Sequence, residues 1–309
     1  MGKKIKPLWI QKIEYLLYRI GLAYLRCLPR EYGSALAKKI GTLFYYIDFR
    51  HYRIAKENLE KSNLNYPSSR YNAIIQETYQ NMFLLLWEAL SNNLSIQKSN
   101  LDHYIEIHHY HYVTDIQKKY PSIIYVTGHL GNWELLGSTV AIKGVRLHSI
   151  ARSIPNFYIE QHIRRERERY GQVILCKKGA ISEALRLLRQ NKDIAFLVDQ
   201  NAGSRGEFVE FFGRLASTFS AAASLSYRFN RPIIPSFAIR RQSQFFFDIY
   251  VTEPICPNLQ NNASDEIHRL TQLYTQRIEE WIRKYPTQWL WFHRRWKSQP
   301  PSPIFNLKE

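Results

Sequence analysis

The chain has 309 residues, of which 45% are hydrophobic, and its formal net charge is +17. This length predicts one large hydrophobic core, in one domain or in one domain with an appendage. The basic excess indicates an anionic partner, which is nucleic acid, an anionic membrane surface or an acidic substrate. Cys27, Cys176 and Cys256 have no paired spacing, so they indicate neither a disulfide framework nor a zinc site, and a reducing, cytosol-facing environment fits best.

The first predicted element is a helix over residues 8 to 28. Its charged residues interrupt the apolar run, so it is not a membrane span, and no small-residue cleavage site follows it. Apolar residues at alternating steps of four and three form one stripe, which consists of Trp9, Ile13, Leu16, Ile20, Ala23 and Cys27.

Basic residues accompany this stripe. Lys12, Arg19 and Arg26 repeat every seven residues along one flank, and Lys3, Lys4 and Lys6 stand just upstream. Such a helix suits a bilayer interface, with the stripe in the acyl boundary and the basic flank at lipid phosphates. The alternative is an ordinary helix that packs on the domain and has a solvated basic flank.

The rest of the chain alternates helices and strands. Helical periods cover residues 35–50, 68–95, 133–140, 180–189, 219–229 and 263–285, and short apolar runs predict strands at 122–127, 146–151, 173–175 and 194–198. Residues 232–239 and 245–251 form a candidate hairpin. Alternation of strand and helix predicts an α/β fold with a mixed, largely parallel central sheet flanked by helices.

Polar clusters follow three of the predicted strands, at residues 127–134, 152–156 and 199–203. The active sites of open α/β sheets lie outside the carboxyl ends of the strands, so these clusters are expected to face one crevice. His129 and Glu134 belong to the first cluster, with glycines at 128 and 131. If His129 stands on the turn before a helix and Glu134 lies in its first turn, the carboxylate can orient the imidazole as a general base.

A metal site and a nucleic-acid site are two further possibilities. No H-E-x-x-H pattern occurs, and His108, His109 and His111 are expected at the surface, so no metal is assigned. A C-terminal cluster mixes rings and cations, which suits single-stranded nucleic acid, a membrane interface or a strand packed on the sheet. Its members are Trp289, Trp291, His293, Arg294, Arg295 and Trp296.

Three motifs resemble one family. GHLGNWELLG, VDQNAGSRGEFVEFFGRLAST and YPTQWLWFHRRWK look like the motifs of the bacterial lipid A biosynthesis acyltransferases, the lauroyl and myristoyl transferases of the lysophospholipid acyltransferase-like group. The resemblance runs from the N-terminal helix to Trp296. It implies a membrane-bound enzyme on the cytoplasmic face of the inner membrane, which moves a fatty acyl chain from acyl carrier protein or coenzyme A to a glycolipid hydroxyl.

The resemblance also implies site residues. The His-x4-acid motif falls on His129 and Glu134, and an Asp-Gln pair falls on Asp199 and Gln200. The further expected substrate-binding residues are Arg152, Arg164, Arg167, Asn132 and Gly131, with Arg167 favoured among the arginines. Two departures are Asn201, where a second acidic residue is common, and the order Ile154-Pro155-Asn156 after Arg152, which inverts the usual Asn-Pro.

The expected mechanism is direct acyl transfer without a cofactor. His129 removes the proton of the attacking hydroxyl, Glu134 orients His129, and Arg167 or backbone amides near Gly131 stabilise the oxyanion of the thioester carbonyl. The expected partners are an acyl carrier protein or coenzyme A thioester, a membrane glycolipid and an anionic bilayer, without nucleic acid.

The expected organisation is a membrane-associating helical segment over residues 1–50 and a catalytic domain over residues 51–309. Two alternatives stay open. The acceptor can be another lipid, such as a lysophospholipid or a mannosylated phosphoinositide, or the chain can be a non-catalytic basic protein that binds nucleic acid or membranes.

Overall fold

A computed structural model describes residues 6–91, 96–177, 179–241 and 245–300 of the chain. A seven-stranded sheet in the order β1-β9-β8-β2-β5-β3-β4 forms its centre, and β6 and β7 form a separate hairpin. In the large sheet β8 and β9 pair antiparallel and the other neighbouring strands pair parallel, which confirms the predicted α/β class. The strands are β1 (Ile105–His108), β2 (Ile124–Thr127), β3 (His148–Ala151), β4 (Val173–Cys176), β5 (Ile194–Leu197), β6 (Glu207–Phe211), β7 (Arg214–Thr218), β8 (Ile233–Arg240) and β9 (Phe247–Val251).

Helices cover both faces of this sheet. The α-helices are α1 (Leu8–Cys27), α2 (Arg30–Ile47), α3 (Phe49–Lys61), α4 (Ser68–Ser91), α5 (His111–Gln117), α6 (Trp133–Ile142), α7 (Phe157–Glu168), α8 (Ala180–Arg189), α9 (Ala221–Phe229) and α10 (Ala263–Lys284). The strands β2 and β8 are buried along their whole length, as expected for strands that are covered on both faces. On one face Ile74 of α4 and Tyr274 of α10 join the largest core cluster, and on the other Leu135 and Leu136 of α6 pack on Phe247.

Several predicted boundaries shift. The helix expected over residues 35–50 begins at Arg30, directly after Pro29, and it ends at Ile47. The helix expected to reach residue 95 is seen to Ser91, because residues 92–95 lie outside the described part. The predicted hairpin is confirmed as β8 and β9, although residues 242–244 of its turn also lie outside the described part.

The N-terminal helix exposes the predicted apolar stripe. Trp9, Ile13, Leu16 and Ile20 are all at least half exposed, while Gln11 and Leu22 are buried on the opposite side. The stripe therefore does not pack on the rest of the described chain. Among the described helices, none has the length and apolar character needed to cross a membrane. Lys3 and Lys4 lie outside the described residues.

The C-terminal cluster is part of the core. Trp289, Trp291, Trp296 and Arg295 are buried, and the three rings belong to the largest core cluster. Of the three interpretations of this cluster, stacking on nucleic acid and anchoring at a membrane both require exposed rings, so neither applies to these tryptophans. The third interpretation, a strand that packs on the sheet, agrees with the burial of the rings but not with their secondary structure. Trp289 pairs with Leu130 in an isolated antiparallel bridge and is not part of a strand of the sheet.

Candidate active site

The loop after β2 carries His129 and is fixed by backbone hydrogen bonds. The amide of Gly131 donates to the carbonyl of Gln288 at 3.0 Å, and the amide of Asn132 donates to the carbonyl of Ala238 at 2.8 Å. Gly131 has φ +63°, and a Cβ at this position would lie 1.9 Å from the Ala238 carbonyl oxygen. Glycine is therefore required by both the backbone conformation and the close approach of β8.

The partner of His129 is Asp199, which follows β5. Because β2 and β5 are parallel neighbours, their carboxyl ends meet at one edge of the sheet. The His129 Nδ1 atom lies 2.8 Å from Asp199 Oδ1, and the His129 backbone amide donates to Asp199 Oδ2 at 2.6 Å. An ionised carboxylate only accepts hydrogen bonds, so Nδ1 carries the proton and Nε2 is the unprotonated, basic nitrogen.

A tryptophan completes this pair. The indole Nε1 of Trp289 donates to Asp199 Oδ2 at 2.8 Å, so this carboxylate accepts three hydrogen bonds while it is almost fully buried. Trp289 was expected in the C-terminal cluster but not as a partner of the site. The amide nitrogen of Gln200 lies 3.4 Å from His129 Nε2, so a side chain from the loop after β5 also contacts the second imidazole nitrogen.

The electrostatics match these contacts. Burial opposes ionisation of Asp199, but the charge and hydrogen bonds of His129 and the bond from Trp289 outweigh it and lower the pKa of Asp199 to about 2. Burial alone would lower the pKa of His129, but the charge and hydrogen bond of Asp199, with a smaller contribution from the charge of Glu134, raise it above its ordinary value. Asp199 therefore stabilises the imidazolium form of His129 relative to an isolated histidine.

Glu134 does not make the predicted hydrogen bond to His129. It lies in the first turn of α6, where its carboxylate accepts two hydrogen bonds from Arg167 of α7, at 2.8 Å from Nε and 2.5 Å from Nη2. The bidentate geometry of this pair satisfies both carboxylate oxygens. Asp199, rather than Glu134, orients His129 because β5 delivers its carboxylate directly to Nδ1.

A cavity of about 620 Å³ opens beside His129 at this edge of the sheet. Apolar side chains of the strands and of α6 and α9 form most of its lining, and polar side chains form the rest. The predicted site residues that line the cavity are His129, Glu134, Arg152, Arg167 and Gln200, and Lys177 joins them without having been predicted. A cavity of this size and composition suits a long apolar group with one polar end.

Four residues that the resemblance assigned to substrate binding lie outside the cavity lining, and one of them, Asp199, holds His129 instead. Arg164 donates to Glu168 and to the carbonyl of Ile174, so it ties α7 to β4. Gly131 is packed under β8. Asn132 is buried and caps α6, because its Oδ1 accepts from the amide of Leu135 at 2.9 Å. In the structure these residues shape the site without lining its cavity.

Asn132 also connects the site to a buried ion pair. Its amide nitrogen donates to Glu88 of α4 at 2.9 Å, and Glu88 pairs with Arg240 of β8. Both members of this pair are buried. Buried charges are stable when they are paired and further hydrogen-bonded, and Asn132 provides one of those further bonds. The sequence offered no periodic signal for this pairing, because Glu88 lies in the otherwise apolar stretch of residues 82–90.

Another polar cluster lies three strands away from β2. Glu106, His108 and Asp248 place their ligand atoms within 4.8 Å of one another. Arg241 donates to both carboxylates, and His108 Nε2 lies 2.7 Å from Asp248 Oδ1. His108 is thus part of an ion-pair network on the edge strand β1 and is half-buried, whereas the sequence had suggested a surface position.

The central sheet is largely parallel and flanked by helices, and it carries a histidine–carboxylate pair at a strand end. This pair lies beside a large, mainly apolar cavity. Such an arrangement defines an α/β enzyme with a basic histidine next to a cavity that can hold a lipid chain. Residues 1–298 match the family model described as "Bacterial lipid A biosynthesis acyltransferase". The chain therefore belongs to this family and is an acyltransferase of lipid A biosynthesis. It is similar to a lipid A biosynthesis acyltransferase of Haemophilus influenzae, with 23% identity over 296 residues that cover 93% of this chain and 92% of that protein.

Proposed function

We propose that this acyltransferase moves a fatty acyl chain from an acyl thioester to a hydroxyl of a lipid A precursor, with His129 as the general base. The observation that carries the proposal is the His129–Asp199 pair beside the mainly apolar cavity. The acceptor oxygen attacks the thioester carbonyl and gives its proton to His129 Nε2. The carbon–sulfur bond then breaks, and the leaving thiolate takes the proton from the imidazolium.

Asp199 stabilises the charge that this reaction places on His129. Its pKa of about 2 keeps it ionised, and its hydrogen bond to Nδ1 directs Nε2 into the cavity. General base catalysis of this kind contributes about 10²- to 10⁴-fold to the rate. Arg167 lines the same cavity and is the proposed donor for the oxyanion, while Glu134 fixes the guanidinium in place. The amides of Gly131 and Asn132 already donate to carbonyls, so they are not proposed as oxyanion donors.

Two cations at the mouth of the cavity are proposed to bind phosphate. Arg152 and Lys177 follow Ala151 and Cys176, which are register partners on β3 and β4, so both stand at the same edge of the sheet. Both line the cavity and are exposed, and neither forms an ion pair with any other described residue. Their charge suits the phosphate of a phosphopantetheine donor or of a phosphorylated acceptor. Catalysis by this chain is proposed to need no cofactor and no metal.

The exposed stripe of α1 is proposed to lie in the cytoplasmic face of the inner membrane. Large apolar side chains that remain exposed on one helix mark a membrane or protein contact. Lys12, Arg19 and Arg26 are exposed on the same helix, so an anionic bilayer is the proposed partner. Attachment there would present the cavity to a membrane glycolipid and to a thioester of acyl carrier protein or coenzyme A.

Acyl transfer is the direct test of this function. Purified protein in mixed micelles is given an acyl carrier protein thioester, or the coenzyme A thioester, and a lipid A precursor, and the product is measured by mass spectrometry. We expect transfer by the wild-type protein and by His268→Ala, which alters an exposed histidine paired with Glu207. His129→Ala should lose at least 10²-fold in kcat. Equal rates for the two variants would overturn the proposal.

Membrane attachment has its own test. Leu16→Asp/Ile20→Asp replaces two exposed residues of the stripe, and Leu215→Asp/Leu259→Asp replaces two residues of similar exposure elsewhere. We expect the first variant alone to lose sedimentation with vesicles that contain phosphatidylglycerol, and the wild-type binding to weaken with salt. Loss of binding in both variants, or in neither, would contradict attachment through α1.

A further inference from the structure

A second, smaller cavity lies directly behind the active-site cavity. Its volume is about 30 Å³, the space of about one small group. The two cavities share four lining residues, Tyr125, Leu136, Val140 and Ser236. These shared side chains form the partition between the two spaces, and the second cavity is otherwise lined mainly by apolar side chains from α6 and the strands β1 and β9.

Two hydroxyl groups stand out in this apolar lining. Thr139 of α6 and Ser236 of β8 are both buried, and neither side-chain oxygen has a hydrogen-bond partner among the described residues. A hydrocarbon chain offers such groups no hydrogen bond, so a chain that advances past the partition must cover two polar groups without satisfying them. In the larger cavity Leu136 and Val140 offer the chain apolar surface, and Ser236, which lines both cavities, is the first of the two hydroxyls that the chain meets at the partition.

We propose that Thr139 and Ser236 form a polar stop, which limits the length of the acyl chain that the enzyme accepts. This inference rests on the proposed function, since it assigns the larger cavity to the acyl chain of the thioester. The carbonyl carbon lies beside His129, the chain runs inward along α6, and the terminal methyl group ends at the partition. Chains that are longer by one or two carbons have space behind the partition, but they meet the two hydroxyls there.

The test removes the hydroxyls with little change in volume. Thr139→Val/Ser236→Ala is compared with the wild-type protein on a series of saturated acyl thioesters that differ by two carbons, and kcat/KM is measured for each donor. The matched control is Thr275→Val, because Thr275 is equally buried but lies in α10 and donates to the carbonyl of Thr271. Thr139→Ser keeps a hydroxyl while it removes a methyl group, and thermal melting reports whether each variant is folded.

We expect the wild-type kcat/KM to fall sharply beyond one chain length. In the double variant the kcat/KM of the first disfavoured donor should rise about tenfold relative to that of the best donor. One methylene group in an apolar pocket changes kcat/KM by about that factor. Thr139→Ser and Thr275→Val should keep the wild-type profile. A folded double variant whose kcat/KM depends on chain length as in the wild-type protein would overturn the polar stop. A Thr139→Ser variant that gains activity on the longer donor, as the double variant is expected to do, would overturn it as well. Absence of transfer from every donor in the wild-type protein would instead contradict the proposed function.

Discussion

Asp199 holds His129 at two points, since one carboxylate oxygen lies 2.8 Å from the imidazole Nδ1 and the other accepts the backbone amide of the same residue at 2.6 Å. The side chain and the backbone of His129 are thus fixed by a single buried group. Trp289 donates to the oxygen that binds the backbone amide. Because Asp199 is almost fully buried, His129 Nε2 is the part of this unit that reaches the cavity.

The Glu134–Arg167 pair should act as one unit. Glu134→Gln leaves the largely buried guanidinium without its counter-charge, and Arg167→Gln leaves the carboxylate alone, so each change should lower kcat/KM by about tenfold or more. The double variant should lose less than the product of the two effects, with a coupling of about 0.5–3 kcal/mol. A double-mutant cycle on kcat/KM measures this coupling. The exposed pair Glu183–Arg186 is the control, and additive effects at Glu134 and Arg167 would show that they act independently.

The buried Glu88–Arg240 pair should matter for stability. Glu88→Gln removes the buried carboxylate charge that pairs with Arg240 and weakens the bond to Asn132, so the free energy of unfolding should fall by about 3–5 kcal/mol. Glu106→Gln removes an exposed partner of Arg241 and should cost at most about 1 kcal/mol. Urea denaturation followed by tryptophan fluorescence measures both changes. Similar losses in the two variants would argue against a special contribution of the buried pair.

Gly131 should tolerate no side chain. Gly131→Ala introduces a Cβ that would lie 1.9 Å from the Ala238 carbonyl oxygen, in addition to the cost of a positive φ, which is about 1–2 kcal/mol for an alanine. Gly144 has φ +92° and open space around it, so Gly144→Ala carries the backbone cost without the clash. We expect Gly131→Ala to lower the melting temperature more and to reduce kcat, because the loop that carries His129 must shift. Equal effects of the two variants would show that the contact with Ala238 is unimportant.

Much of the fold was predictable because its central strands are short apolar runs between helices. The strand β1 was not predicted, although Ile105-Glu106-Ile107-His108 alternates apolar and polar residues as a strand at a sheet edge does, because four residues are too few for the alternation to stand out. The hairpin of β6 and β7 was missed as well. Its strands pair with each other and not with the large sheet, so the strand–helix alternation gave no sign of them.

The site was predictable at the level of clusters but not of contacts. The strand-end rule placed His129 and Asp199 at one edge of the sheet, and the structure brings them into contact. The spacing of His129 and Glu134 suggested a local pair, yet the first turn of α6 directs Glu134 toward α7. Arg164 and Arg167 are three residues apart on one helix, and their different partners depend on how α7 lies against β4 and α6. Sequence periodicity contains no information on that placement.

The pH dependence of Asp199→Asn tests the central claim most directly. Asparagine removes the negative charge that raises the pKa of His129, so the pKa should fall and the rising limb of the kcat/KM profile should move to lower pH. In the wild-type protein this limb should lie above the ordinary histidine value of about 6.5. The maximal rate of the variant should fall by about 10²- to 10⁴-fold, since the imidazolium is no longer stabilised. A variant that keeps both the wild-type rate and the wild-type pH profile would contradict the role of Asp199 in holding His129 as the base.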